Sequence, residues 1–256
     1  WGTTNEEGES TITWLEVTTG EGEDEVTLQY LLTFNAPASD LCGQLDLSGC
    51  KFLREVYVQN NTLTQVDVSE SAIQQLDCSG NRLTELNASG CGFLMNLVCG
   101  NNQLTALELA DCRRLATVDC SGNQLTALNL SATNALMTLN CENNRLSTLT
   151  FNSTGYPIHV DCSGNQLTEL NTDTMQFTRY LDCSDNQLTR LNVRNCSVVE
   201  TFSCQGNKLE RLDLTSDGKY HALSLNAIGE GYVGYAMEQK EDGATTYTVV
   251  ATPVEG

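Results

Sequence analysis

The chain has 256 residues, with 33 acidic and 13 basic side chains and a formal net charge of −20. That balance speaks against a nucleic-acid partner, whose phosphates need Lys and Arg, and against an anionic membrane surface. No apolar run of about 18 residues occurs, so no segment reads as a membrane-spanning helix, and the charge suits a soluble monomer, a basic partner or divalent cations.

Residues 1–41 carry no repeat and are expected to form an N-terminal β-hairpin cap. Residues 12–17 read as one strand. Val26, Leu28, Tyr30, Leu32 and Phe34 alternate at period two and read as a second. The acidic stretch 20–25 is the turn between them. A helix over residues 25–34 is the competing reading. A cap is needed because the first coil of a repeat would otherwise expose its apolar edge.

Residues 42–217 are periodic. Asn61, Asn81, Asn102, Asn123, Asn144, Asn165, Asn186 and Asn207 recur every 21 residues, after a first interval of 20. Cys78, Cys99, Cys120, Cys141, Cys162, Cys183 and Cys204 each stand three residues before an asparagine, and Val58 fills that slot in the first coil. A period in this range is the mark of a solenoid. Each coil divides into ten residues, apolar-x-x-Leu-x-Cys-x-x-Asn-x, and eleven, Leu-Thr-x-Leu-x-Leu-x-x-Cys-x-x. The Leu-x-Cys and Leu-x-Leu triplets have period two and read as short strands; the segments between them are too short for helices. The expected fold is therefore mostly β, a solenoid of about eight coils with strands on both sides of each coil, little helix and β-rich terminal caps. Stacking at about 4.8 Å per coil makes a rod of about 40 Å. Asn suits a turn because it tolerates the left-handed region and its amide bonds the backbone. Stacked in a column, the amides are expected to form a continuous bonded ladder.

Leu76-x-Cys78-x-x-Asn81-x-Leu83 and its copies resemble the leucine-rich-repeat family, with Cys in one Leu slot. The nested 10+11 pattern is similar to a subclass common in bacterial surface and secreted proteins. The resemblance covers about residues 45–214. It departs at Val56 and Val58 and again over residues 151–157. A generic parallel β-helix is the alternative fold. The resemblance implies partner binding on the exposed face of the first-half strands and an extracellular or cell-surface location in a bacterium. The chain opens on Trp1 without a signal-peptide pattern, so lipid anchoring would depend on a removed leader.

The cysteine column is read as small buried hydrophobes. No Cys-x-x-Cys pair occurs, which disfavours zinc. In-register neighbours point the same way and suit a disulfide poorly, although their spacing permits one. Cys42 with Cys50, near the open end of the stack, is the pair to examine for a bridge. Cys50, Cys91, Cys112 and Cys196 share a second column with Ser71, Thr133, Thr154 and Met175, expected to be semi-buried.

Three columns are expected to face outward from the first-half strands. One runs through Gln75, His159 and Tyr180, a second through Asp77, Asp119, Asp161 and Asp182, and a third through Ser79, Ser121, Glu142, Ser163 and Ser184. The candidate ligand-binding residues are Tyr57, Asp77, Asp119, Asn140, His159, Asp161, Tyr180 and Asp182. They suit a cationic group, a glycan or Ca²⁺, though one carboxylate per coil supplies few ligands at any point. Alternatively they are solvated carboxylates on a soluble rod. No catalytic or metal site is expected: His159 faces out while Cys162 faces in, His221 lies beyond the repeats, and no catalytic fingerprint is present. No cofactor is expected. The function expected is non-enzymatic binding of a protein or glycan by a monomer; the alternative is a structural spacer with no ligand of its own.

Residues 218–256 break the period and are expected to form a small C-terminal β cap. Residues 220–226, 232–237 and 245–251 read as strands, with a turn at 241–243. The last ten residues are similar to the opening of a small all-β repeat found in bacterial surface proteins, without its aromatic-Gly-Trp continuation.

Overall fold

A computed structural model describes residues 11–19, 26–193, 195–196, 198–209, 211–214, 235–239 and 245–250. Among them the chain is a mostly-β solenoid with a repeat of about 21 residues and no α-helix. The first-half triplets are strands: β4 (Glu55–Tyr57), β6 (Gln75–Asp77), β8 (Asn96–Val98), β9 (Thr117–Asp119), β11 (Thr138–Asn140), β13 (His159–Asp161), β14 (Tyr180–Asp182) and β16 (Thr201–Ser203). They pair in parallel and in register, so equivalent residues of successive coils lie side by side. The middle residue of β4, β6, β8, β9, β11, β13 and β14 is buried and its two neighbours half-buried.

A hairpin extends this front sheet. β1 (Thr11–Thr19) pairs antiparallel with β2 (Val26–Asn35), and residues 33–35 of β2 run parallel beside β4. Period-two alternation wins over the helix reading at 25–34. The turn at 20–25 lies outside the described residues. The Ala36 and Ala38 N–H groups bond the Tyr57 and Gln59 carbonyls, repeating the contacts that Val58 and Asn60 make one coil later. This stretch therefore lies as a coil does, although no asparagine marks it.

The back of the solenoid differs from expectation. Its strands form three separate patches instead of a ladder on every coil. β3 (Cys42–Asp46), β5 (Thr62–Asp67) and β7 (Glu85–Asn87) form one. β10 (Ala127–Leu130) and β12 (Thr148–Phe151) form the second. β15 (Arg190–Asn192), β17 (Arg211–Leu214), β19 (Thr245–Val250) and β18 (Tyr235–Gln239) form the third, the last two as an antiparallel hairpin. β18 overlaps the strand reading at 232–237 from residue 235 onward and β19 lies within the reading at 245–251, while residues 232–234 and 251 lie outside the described residues. The readings at 220–226 and 241–243 lie outside the described residues. Two clefts open on the back where ladders are missing. One, of about 190 Å³, lies between Leu107 and Ala127. The other, of about 570 Å³, lies between Leu149 and Leu170.

The core is a line of Leu, Val and Cys running the length of the rod. The seven ladder cysteines are buried, and all twelve cysteines are thiols. Burial raises the ladder thiols, Cys120 to about 12, with the Asp119 charge adding to the effect. They are more than small hydrophobes, because the Cys141, Cys162 and Cys183 Sγ atoms donate to the Asp161, Asp182 and Ser203 carbonyls of the next coil at 3.4 Å. Cys42 and Cys50 are not bridged: Cys42 is exposed, whereas Cys50 packs against the core. The second cysteine column is semi-buried only at Cys50; Ser71, Cys91, Cys112, Thr133, Met175 and Cys196 are buried. In the irregular coil the register slips by one residue. Thr154 is exposed there, and Gly155 takes the inner place, its N–H bonding the Asn152 carbonyl as Cys91 N–H bonds that of Ala88.

The asparagine column is the bonded ladder expected of it. Asn123 Nδ2 donates to the Cys120 and Ser121 carbonyls of its own coil, at 3.0 and 3.2 Å, and to the Cys99 carbonyl of the coil before, at 3.0 Å. Its Oδ1 accepts from the Leu104 N–H at 3.0 Å. Asn81, Asn102, Asn144, Asn165, Asn186 and Asn207 make the same set. At the N-terminal end Asn61 bonds Ala36, Ser39 and Leu41.

The residue before each ladder asparagine has positive φ, and here side chains alternate with glycines: Asn60, Gly80, Asn101, Gly122, Asn143, Gly164, Asp185, Gly206. A Cβ on Gly80 would lie 2.5 Å from Asn60 Oδ1, and one on Gly122 2.7 Å from Asn101 Oδ1. Each Asn or Asp side chain thus lies over the glycine of the next coil, in space that only a missing side chain leaves.

Two outcomes test this core. Asn123→Ala leaves the buried Leu104 N–H without its acceptor and should cost at least about 2 kcal/mol; the exposed Asn134→Ala should stay within about 0.5 kcal/mol; chemical denaturation reads both. In the folded chain a bulky maleimide should add rapidly to Cys42 and leave the ladder thiols unmodified, counted by intact mass; rapid addition to most thiols contradicts a dry column.

Candidate functional site

The front sheet presents two side chains per coil. In-register pairing sets Thr138, His159 and Tyr180 side by side, and Asp119, Asn140, Asp161 and Asp182 beside them. The His159 and Tyr180 rings stack at 4.1 Å between centroids, with an interplanar angle of 2°. The strand ladder holds both backbones, so the stack is preformed. Tyr57 and Asp77 are also neighbours, but the Val98 coil separates them from the other candidates. Tyr57 donates from its phenol to Gln75 Oε1 at 3.0 Å.

The aspartates do more than face water. Asp161 Oδ1 accepts from the Ser163 N–H at 3.0 Å and the Ser163 hydroxyl at 2.7 Å. Asp77 with Ser79, Asp119 with Ser121 and Asp182 with Ser184 repeat this turn. Asn140 Oδ1 accepts the Glu142 N–H in the same way. This local bond corrects the expectation of a third exposed column. The serine hydroxyls fold back onto the carboxylates, and Ser121 and Ser184 are buried, as is Gly100. It also leaves fewer carboxylate oxygens to share around a cation. Among the described residues no group of three or more His, Cys, Asp or Glu is placed to hold a metal ion.

Glu142 belongs to this cluster and was not among the residues chosen from the sequence. It occupies the serine position of its coil, between the coils of Asp119 and Asp161, and the signal was the acid in a slot that elsewhere holds Ser, Gly or Gln. Partial burial raises its carboxyl, and the charges of Asp161, Asp119 and Asp182 raise it further. Burial likewise raises the Tyr180 phenol, with Asp161, Asp182 and Glu142 adding to it. The result is a patch about four coils long, with a flat aromatic pair on one side and crowded carboxylates on the other. Such a patch can receive a cation or a hydrogen-bond donor, stacking its flat face on the rings and placing its charge over the acids.

No helix among the described residues is long and apolar enough to cross a membrane. No family profile matches the chain, and no curated protein matches it. Among solved structures it is similar to YopM from Yersinia enterocolitica, at 21% identity over 64% of this chain and 44% of that one, with a TM-score of 0.48. It is similar also to the functional domain of InlJ from Listeria monocytogenes, described as including a cysteine ladder, at 17% identity over 81% and 72% of the two chains and a TM-score of 0.33. A third is the leucine-rich repeat domain of APL1B, at 17% identity over the same shares, with a TM-score of 0.45. The chain spans less than half the length of the first of these.

Ionised Glu142 is the disfavoured form, so its contribution to stability is present below its ordinary value of 4.5 and is lost as pH rises through the raised folded value. Glu142→Gln should therefore raise the thermal midpoint at about pH 7 and leave it unchanged below about pH 4. An equal shift at both pH values would mean that the charge is not the cause.

Proposed function

We propose that the chain is a leucine-rich-repeat module of the nested 10+11 kind, from a secreted or surface-attached bacterial protein. It binds a protein or glycan partner non-catalytically, as a monomer, through the front sheet. Residues 1–41, a β-hairpin cap, and residues 218–256, a small β cap, close the rod of residues 42–217. The observation that carries this reading is the preformed His159–Tyr180 stack beside Asp161, Asp182 and Glu142. The crowding that raises Glu142 and Tyr180 is relieved when a partner brings a positive charge, which gives the patch a preference for cationic or donor-rich groups. A spacer role is the second reading. It is favoured by the Asp-x-Ser turns, in which each aspartate already has a local structural purpose.

Capture from extracts of host and neighbouring cells separates the two. The unaltered chain should retain at least one partner, and Asp161→Ala with Tyr180→Ala should lose it. Retention of every partner by the double variant removes the front patch as the site. Capture of nothing across the extracts supports the spacer.

A further inference from the structure

The largest exposed apolar side chains among the described residues, Leu15 and Leu28 of the hairpin apart, all lie on one edge of the rod. Phe52, Phe93, Met95, Met137, Tyr156, Phe177 and Val198 are 38–52% exposed, Phe52 packing against Tyr30 of the hairpin. They occupy the two positions that flank the buried residue at the start of each coil, Leu94 and its equivalents, so they stack into a ridge beside the front sheet. Ala116, Ala135 and Ile158 fill intervening places, and Arg114 holds the one beside Phe93. The ridge backbone is tied down: the N–H groups of Met95, Met137, Ile158 and Arg179 bond carbonyls of the preceding coil at 2.8–2.9 Å. Neighbouring rings touch, Tyr156 against Phe177 edge to face at 5.2 Å. The ridge's own cations are engaged, Arg114 over the Phe93 ring at 4.9 Å and Arg179 with Glu200 at 3.0 Å. Phe, Tyr, Met and Arg on a rigid support are the composition of an interface core. A contiguous exposed apolar patch on a soluble chain marks an interaction site.

We propose that this ridge docks a basic amphipathic helix lying along the rod axis. Coils repeat at about 4.8 Å and helix turns at about 5.4 Å, so over the four coils from Phe93 to Phe177 the two drift apart by only about 2 Å. Apolar residues at i, i+3, i+4 and i+7 then meet successive coils. The helix must be basic because of what lies beside the ridge. From Met137 to Asn140 is three strand residues, about 10 Å, and that outer column carries Asp77, Asp119, Asp161 and Asp182. A helix about 10 Å across, seated on the ridge, holds one flank over those acids. The same charge, within a total of −20, opposes a second copy of this chain as the occupant. The flank rests on the front-sheet reading; the apolar stripe stands without it.

The probe is a synthetic peptide of about 18 leucines and lysines with one helical apolar stripe, and its control is the same composition scrambled. Titration of the full chain by fluorescence anisotropy should show the amphipathic peptide binding at least about tenfold more tightly than the scramble. Phe93→Ser with Met137→Ser and Phe177→Ser should lose about tenfold, and Asp161→Asn with Asp182→Asn a smaller, salt-sensitive factor. All are exposed or half-exposed positions, and protected ladder thiols verify folding of each variant. Equal binding of the two peptides, or unchanged affinity in the triple variant, overturns the ridge. Loss confined to the aspartate variant overturns the ridge while leaving the front sheet standing. Loss confined to the ridge variant upholds the ridge and removes the acidic flank.

Discussion

The solenoid depends on a buried primary amide that satisfies groups in two coils at once. A turn buried inside a stack leaves backbone N–H and C=O groups beyond the reach of water, and each such group left unmet costs about 1–3 kcal/mol. The asparagine meets four of them, three carbonyls and one N–H, with its partners divided between its own coil and the one before. Position and chemistry are thus fixed together. A side chain one methylene longer would be displaced from the turn, and an aspartate would lose the donors. The cysteines occupy a buried slot three residues earlier, from which the Sγ atoms of Cys141, Cys162 and Cys183 reach the next coil's carbonyls.

Because the amides pin one corner of every coil, the adjacent front strands stay in strict register. That register converts a one-dimensional repeat into columns of identical surroundings. The His159–Tyr180 stack, the row of aspartates and the apolar ridge all arise from it, none of them requiring a loop or an insertion. The back arc flanks the same corner, since the Leu63 N–H of β5 bonds Asn81, yet it is less regular. Leu107-x-Leu109 and Leu128-x-Leu130 have the same pattern, yet only the second is a strand, and clefts open where the ladder lapses.

The asparagine and cysteine columns could be read from the chain because period and chemistry agree in every coil but the first, where Val58 replaces the cysteine. Alternation of Val26 to Phe34 likewise decided strand over helix. The third outward column could not, since period-two logic sends Ser121 and Ser184 outward and does not foresee a hydroxyl returning to the aspartate two residues back. Thr154 was misplaced for a similar reason: a one-residue slip at Gly155, compensated before Pro157, leaves the overall period untouched. The irregular back has no signature in residues that look alike from coil to coil. The ridge was legible in Phe93, Tyr156 and Phe177, set at multiples of the repeat, but those positions lie at a corner where strand alternation makes no assignment.

The column in which Asn60, Gly80, Asn101 and Gly122 succeed one another has a consequence for how such a rod can grow or shrink. Each bulky member needs a bare neighbour, so adjacent coils are unlike and every second coil is alike. The translational unit is a pair of coils, as in a wall laid in alternating courses. Losing or gaining a single course sets bulk against bulk or gap against gap, whereas exchange of a whole pair restores the bond. Lengthening by recombination would therefore favour rods that change length two courses at a time.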